Sequence, residues 1–196
     1  MRGPFVEQVS AGPDRRESVL AISVEAFLRY GYRKTSMEDV ARAASISRPG
    51  LYFLFSSKQE LFAAAVERAL QQDLQRVAQA LGDGAVPLEQ RLVDAFDAWT
   101  GRYLGAVGGE LLAVVEAHRE VMTADALDAP RRFAGLVHDA VSVADPARPP
   151  RTTDAVVRTM ISAAIGVKQQ TSSREAFRDE IRVAVELLLH SRGHAV

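Results

Sequence analysis

The sequence predicts an all-α fold, a short three-helix domain followed by a larger helical bundle. Three observations predict it. No stretch shows sustained alternation of apolar and polar residues between turn signals, which excludes an ordinary sheet. Apolar residues instead recur three and four apart through nearly every segment. The segments are also punctuated by helix start and stop residues, among them Ser36, Ser47 and Ser57 at starts and Gly31 at a stop.

Residues 1–13 hold two Gly and two Pro without a clear period and are expected to form a loose arm. Asp14 is placed to cap the first helix, with Glu17 three residues on. Val19, Ile22, Ala26, Phe27 and Tyr30 supply its buried stripe, and Gly31 ends it. Ser36 with Asp39 forms a capping-box-like pair for the second helix, whose small apolar face is Val40, Ala41 and Ala44. Ser45-Ile46-Ser47 breaks that period. Ser47 is a good N-cap for the third helix, and Arg48 and Pro49 follow in its first turn, where the missing proline N–H costs nothing.

On the third helix Leu51, Leu54 and Phe55 form an inward stripe, while Arg48 and Tyr52, four apart, share a different face. Two short helices joined by a tight turn, the second with an anchoring side and a reaching side, describe a helix-turn-helix that offers one helix to the major groove. Spacing alone is also met by two helices of an ordinary bundle with a solvated Arg and a half-buried Tyr.

Ser57 opens a long fourth helix through Leu61, Phe62, Ala65, Val66, Ala69 and Leu70 that fades near Gly82-Asp83-Gly84. Pro87 begins a helix with Leu88, Leu92, Phe96, Trp99 and Tyr103 on one stripe, interrupted by Gly105, Gly108 and Gly109. Leu111 to about Met122 and Arg131 to about Val143 follow as helices. Asp145 to Pro150 reads as a loop because proline does not continue a helix there. Asp154 to Gln169 and Arg174 to Leu189 complete the chain. The expected organisation is an arm at 1–13, a helix-turn-helix domain at 14–60, and a second helical domain at 61–196.

From about Arg15 to Leu61 the chain resembles the DNA-binding domain of the TetR family of transcriptional regulators. The matching residues include Ala26-Phe27, Gly31-Tyr32, Thr35-Ser36, Asp39-Val40-Ala41, Ile46-Ser47, Leu51-Tyr52, Phe55 and Ser57-Lys58. The resemblance makes 61–196 a ligand-binding and dimerisation domain, which binds a small molecule and pairs subunits through its last two helices. It departs at Leu54, where the family often has Tyr or His to bond a phosphate, and at Ser45, where the turn often has Gly. Thr35, Ser36, Ser47, Arg48, Pro49, Gly50, Tyr52 and Lys58 are the expected DNA-contacting residues. Of these, Arg48 lies closest to base edges, and Thr35, Tyr52 and Lys58 set register on the phosphates.

In the second domain Phe96, Trp99, Tyr103, His118, Met122 and Phe133 are candidates for an apolar effector pocket, though an aromatic stripe at helical spacing is equally the mark of plain core. His118 lies between Glu116 and Glu120, but a spacing of two does not bring side chains together on a helix, so no metal site is expected. The last two helices are apolar around more than one stripe, which implies a second buried surface. Val156, Met160, Ala163, Val167, Ile181, Val185 and Leu188 are the expected homodimer residues.

Charge bounds the partners weakly. Residues 1–60 hold nine Lys and Arg against seven Asp and Glu, and the remainder holds 15 against 18, so only local convergence of cations can favour DNA. With no cysteine, disulfide and thiolate chemistry are excluded. No apolar run approaches the roughly 20 residues of a membrane span, and the N-terminus lacks the apolar core of a secretory signal. A cytoplasmic location is the expectation. No nucleophile elbow, phosphate loop or zinc-protease motif occurs, so no enzyme activity and no cofactor are implied.

The sequence therefore points to a ligand-responsive, homodimeric DNA-binding regulator, a repressor released from a palindromic operator by a small molecule. The rival is a helical small-molecule-binding or scaffold protein without DNA recognition, which Leu54 and Ser45 leave open.

Overall fold

The computed structural model describes residues 13–104 and 111–190, all helical apart from turns. Helix α1 (Pro13–Tyr30) begins one residue before the expected cap, so Asp14 lies inside its first turn. It ends where Gly31 takes φ +83°. Helices α2 (Met37–Ala43) and α3 (Arg48–Leu54) make the hairpin, and α4 (Lys58–Gly82) runs on from it. Helices α5 (Leu88–Trp99), α6 (Leu111–Ala117), α7 (Ala124–Ala144), α8 (Pro150–Gln170) and α9 (Arg174–His190) form the second layer. Single 3₁₀ turns at Gly101–Tyr103 and Arg119–Val121 follow α5 and α6. None of the described helices is long and apolar enough to cross a membrane.

Helix α4 organises the molecule because it is buried on several sides. It packs on α1 at its start and on α5 and α7 further along, with Leu61, Phe62, Val66, Leu70, Leu74 and Val77 all inside. Glu17 accepts from Arg68 to tie α1 to α4. Helix α9 packs on α5 and α8, and α7 closes the bundle against α8.

Four boundaries differ from the sequence reading, some for tertiary and some for local reasons, and the simplest is α6, which closes at Ala117 rather than near Met122. The α5 stripe stops at Trp99, and Tyr103 falls on the 3₁₀ turn. At Gly101 a Cβ would lie 2.5 Å from Asp97 Oδ1 and 2.8 Å from Phe177 Cδ1, so α9 packs directly on bare backbone there. Helix α7 starts seven residues earlier than Arg131, capped by the Thr123 hydroxyl, which accepts from Ala126 N at 3.2 Å. It passes through Pro130, and the burial of Ala126, Ala129 and Phe133 offsets the lost hydrogen bond. Helix α8 starts at Pro150 because proline fits the first helical position. The expected arm at 1–13 and the glycines at 105, 108 and 109 lie outside the described residues, apart from Pro13 in α1.

Four of the seven expected dimer residues need correction. Val156, Met160, Ile181 and Val185 are buried within the single subunit, where they hold α8 and α9 to the rest of the bundle; Ala163, Val167 and Leu188 are half-buried. The apolar side chains left in solvent on these helices are Ile165, Val183 and Leu187. The four buried positions are thus taken up by packing within one subunit, while Ala163, Val167 and Leu188 keep an exposed side.

Candidate functional site

The hairpin is fixed by short-range hydrogen bonds. Ser36 Oγ accepts from Asp39 N at 3.1 Å while Asp39 Oδ2 accepts from Ser36 N at 3.0 Å, a complete capping box. The hydroxyl and backbone bonds from Ser36, and beyond them Arg42, hold the Asp39 carboxyl below its ordinary range. The chain then turns through Ser45, whose φ of 52° is left-handed and costs an L-residue about 1 kcal/mol. Ser47 Oγ accepts from Gly50 N at 3.1 Å to start α3.

Leu51 and Phe55 anchor α3 at 0% and 1% exposure, with Leu54 half-buried beside them. The opposite side stands in solvent. Arg48, Pro49 and Tyr52 are exposed, and the Arg48 guanidinium carbon lies 5.7 Å from the Tyr52 ring centroid. This pairing presents a planar donor fork beside a phenol, both directed away from the core. Phe53, which sequence reasoning passed over, is 83% exposed on the same helix. Its signal was available: it falls outside the Leu51–Leu54–Phe55 stripe.

The remaining expected residues are placed differently from Arg48 and Tyr52. Thr35 is buried, and both its backbone N and its Oγ1 donate to Gly31 O, at 3.2 and 2.9 Å. Ser36, Ser47 and Gly50 serve the caps. Lys58 also has a partner inside the subunit: its Nζ donates to Tyr32 O at 3.0 Å and sits 4.4 Å from the Tyr32 ring centroid. Arg33 and Lys34 are exposed in the turn before α2, and Lys34 lines a groove of about 450 Å³ with Tyr30, Asp39 and Arg42.

A second cavity of about 380 Å³ lies between α5, α6, α7 and α8. Trp99 and Phe133 stack in its wall with centroids 4.9 Å apart and planes 5° from parallel, and Phe96 meets Phe133 edge-on at 5.3 Å. Three of the six expected pocket residues are therefore brought together, with Ile161, Ile165 and Lys168 added from α8. Tyr103 is turned to an adjoining crevice, where its hydroxyl donates to Asp73. Burial outweighs that bond and the flanking Arg102 and Arg76, and raises the Asp73 carboxyl above its usual value. Met122 packs against the core and lines neither space.

His118 sits elsewhere again. Its ring lies 5.2 Å from Tyr32 and 5.3 Å from Phe62, both edge-on, and its Nδ1 is 3.1 Å from Val114 O. It follows α6 directly, so α6 joins the cavity wall at Leu112 to the Tyr32–Phe62 contact between the turn after α1 and the start of α4. The sequence offered no route to this contact, since Tyr32, Phe62 and His118 are far apart along the chain.

Comparison with known proteins places these features. Residues 19–65 match the family model described as bacterial regulatory proteins, tetR family. The chain is 38% identical over 68 residues to the HTH-type transcriptional activator FasR of Mycolicibacterium smegmatis, an alignment covering 35% of this chain and 31% of that protein. It is 36% identical over 59 residues to the DNA-binding transcriptional repressor TetR of Mycobacteroides abscessus, covering 30% and 31%. The matched segment thus spans about a third of the length of these curated relatives. Among solved structures, a TetR transcriptional regulator from Legionella pneumophila superposes with a TM-score of 0.67 at 15% identity, over 91% of this chain and 97% of that one. Escherichia coli NemR in its reduced form gives 0.64 at 18%, over 87% and 95%. At such identities these superpositions establish a shared fold.

Proposed function

We propose, on the premise that this chain belongs to the tetR family of bacterial regulatory proteins, that it is a dimeric, ligand-responsive repressor of transcription. One observation carries the reading: α3 is capped, anchored by Leu51 and Phe55, and holds Arg48 and Tyr52 together on its solvent side. An arginine so placed suits the O6 and N7 acceptors of guanine in the major groove, and the Tyr52 hydroxyl suits a flanking phosphate. A two-fold dimer would set two such helices on the halves of a palindromic operator. Residues 14–60 would form the reading domain and 61–196 the sensing domain, with α4 shared between them.

The effector would enter the cavity lined by Phe96, Trp99 and Phe133, an apolar space suited to a small molecule with a hydrophobic body. A ligand there bears on α6, and His118 passes any displacement to Tyr32 and Phe62 at the root of the hairpin. DNA is released only to the extent that the ligand prefers the displaced arrangement. The test is selection of bound duplexes from a random library by the full-length protein, followed by a reporter fused to the selected site. An enriched palindrome and rising reporter output on deletion of the gene support a repressor. Falling output would assign activation, and no enriched duplex would remove the DNA-binding reading.

A further inference from the structure

We propose that Phe53 is a specificity-determining residue of the DNA interface, its ring packing on the C5 methyl of a thymine in the major groove. This rests on the reading of α3 as a DNA-entering helix. Phe53 is 83% exposed, more than any other large apolar side chain among the described residues. Val143, Ile165, Val183 and Leu187, the other strongly exposed aliphatics, belong to α7, α8 and α9. Nothing in the subunit covers the Phe53 ring, although Leu51 and Phe55 on either side of it are fully buried.

Its direction on the helix fits the proposed contact. At 3.6 residues per turn Phe53 lies about 100° around α3 from Tyr52 and about 40° from Pro49. Pro49 and Phe53 therefore form an apolar ridge beside the polar ridge of Arg48 and Tyr52, and both ridges face solvent. A phenyl ring has no donor for a phosphate and no partner for a base edge. The bulkiest apolar group that the major groove displays is the thymine methyl; the ring acceptors and amino donors of the purine edges and the cytosine amino group would lose water against the ring without replacement. The ring thus favours thymine by contact and disfavours the other bases by desolvation.

The experiment compares full-length wild-type protein with Phe53→Ala, first by selection from random duplexes, then by replacing each thymine of the selected site with deoxyuridine, which lacks only the methyl. Wild type is expected to lose about fourfold in affinity at one thymine per half-site, the equivalent of one buried methyl. Phe53→Ala should bind thymine and deoxyuridine equally there while keeping its preference at the other positions. The variant removes a ring that contributes nothing to the core, so its helical content and melting should match wild type. Indifference of the wild type to deoxyuridine at every position would overturn the proposal. So would an alanine variant that keeps the thymine preference, or one that weakens on all sequences alike, the mark of packing on deoxyribose. Failure of the wild type to enrich any duplex would instead remove the DNA-binding reading, and this proposal with it.

Discussion

At the scale of single residues, Arg48 carries the sharpest expectation. Arg48→Ala should cost about 1–3 kcal/mol of discrimination at one base pair, seen as a flattened preference across operator variants in a binding titration. An unchanged preference would remove Arg48 from direct readout. Ser45 offers a stability test in the other direction. With its φ at 52°, Ser45→Gly relieves left-handed strain, partly offset by glycine's extra freedom when unfolded, and should raise stability by about 0.5 kcal/mol in denaturant melts. Asp97 should contribute to acid sensitivity. Burial disfavours its charge, but the Arg174 bonds at 2.8 and 2.7 Å and the Arg178 bond at 2.7 Å prevail and hold its carboxyl below the usual value. The unfolded chain then takes up this proton first, near pH 4, so the stabilisation is complete above that pH and is lost as pH falls through the depressed folded value. Asp97→Asn should lower stability by about 1–3 kcal/mol at neutral pH and make acid unfolding less steep; an unaltered acid profile would show that Asp97 does not control it.

What was legible in the sequence follows the range of the interaction. Ser36, Asp39, Ser47 and Gly31 were readable because caps and turns are settled within four residues. Arg48 and Tyr52 were readable as a pair because four residues make one helical turn. Lys58 was not, since its partner is a carbonyl 26 residues earlier.

At the scale of elements the same division recurs. Helix α3 depends on its cap, and Ser47→Ala should cost about 1 kcal/mol, with DNA affinity falling as the seven-residue helix frays. Helix α6 depends on its end. His118→Ala removes two edge-on ring contacts, and it should leave operator affinity near wild type while blunting the effector's ability to release DNA. Equal release by wild type and variant would route the coupling elsewhere. Tyr103 and Pro130 show why element ends escaped sequence reading. The stripe from Leu88 predicted a helix through Tyr103, but Phe177 from α9 packs where α5 would have continued. The helix expected from Arg131 begins at Ala124 instead, because burial of Ala126, Ala129 and Phe133 carries α7 through Pro130.

At the scale of the whole molecule, the all-α architecture was fully legible, because periodicity reports each helix independently of its neighbours. Which face of α8 and α9 meets the rest of the subunit was not, because both faces are apolar and only packing distinguishes them. If subunits pair through α8 and α9, the exposed set of Ile165, Val183 and Leu187 is the apolar surface open to a partner. Leu187→Glu with Val183→Glu should yield monomers in sedimentation and weaken operator binding, while the melting of the isolated subunit changes little. A persistent dimer would move the interface off α9.

Helix α4 runs unbroken for 25 residues from Lys58 at the hairpin to Gly82 at the far end of the bundle. At 1.5 Å per residue it is about 37 Å long. Pivoted at one end, it amplifies angle into distance: a tilt of about 5° swings the opposite tip by about 3 Å. That is close to the rise of about 3.4 Å between neighbouring base pairs. In the proposed mechanism a rod of this length would convert a change too slight to disturb any packed core into the loss of one full step of register along the duplex.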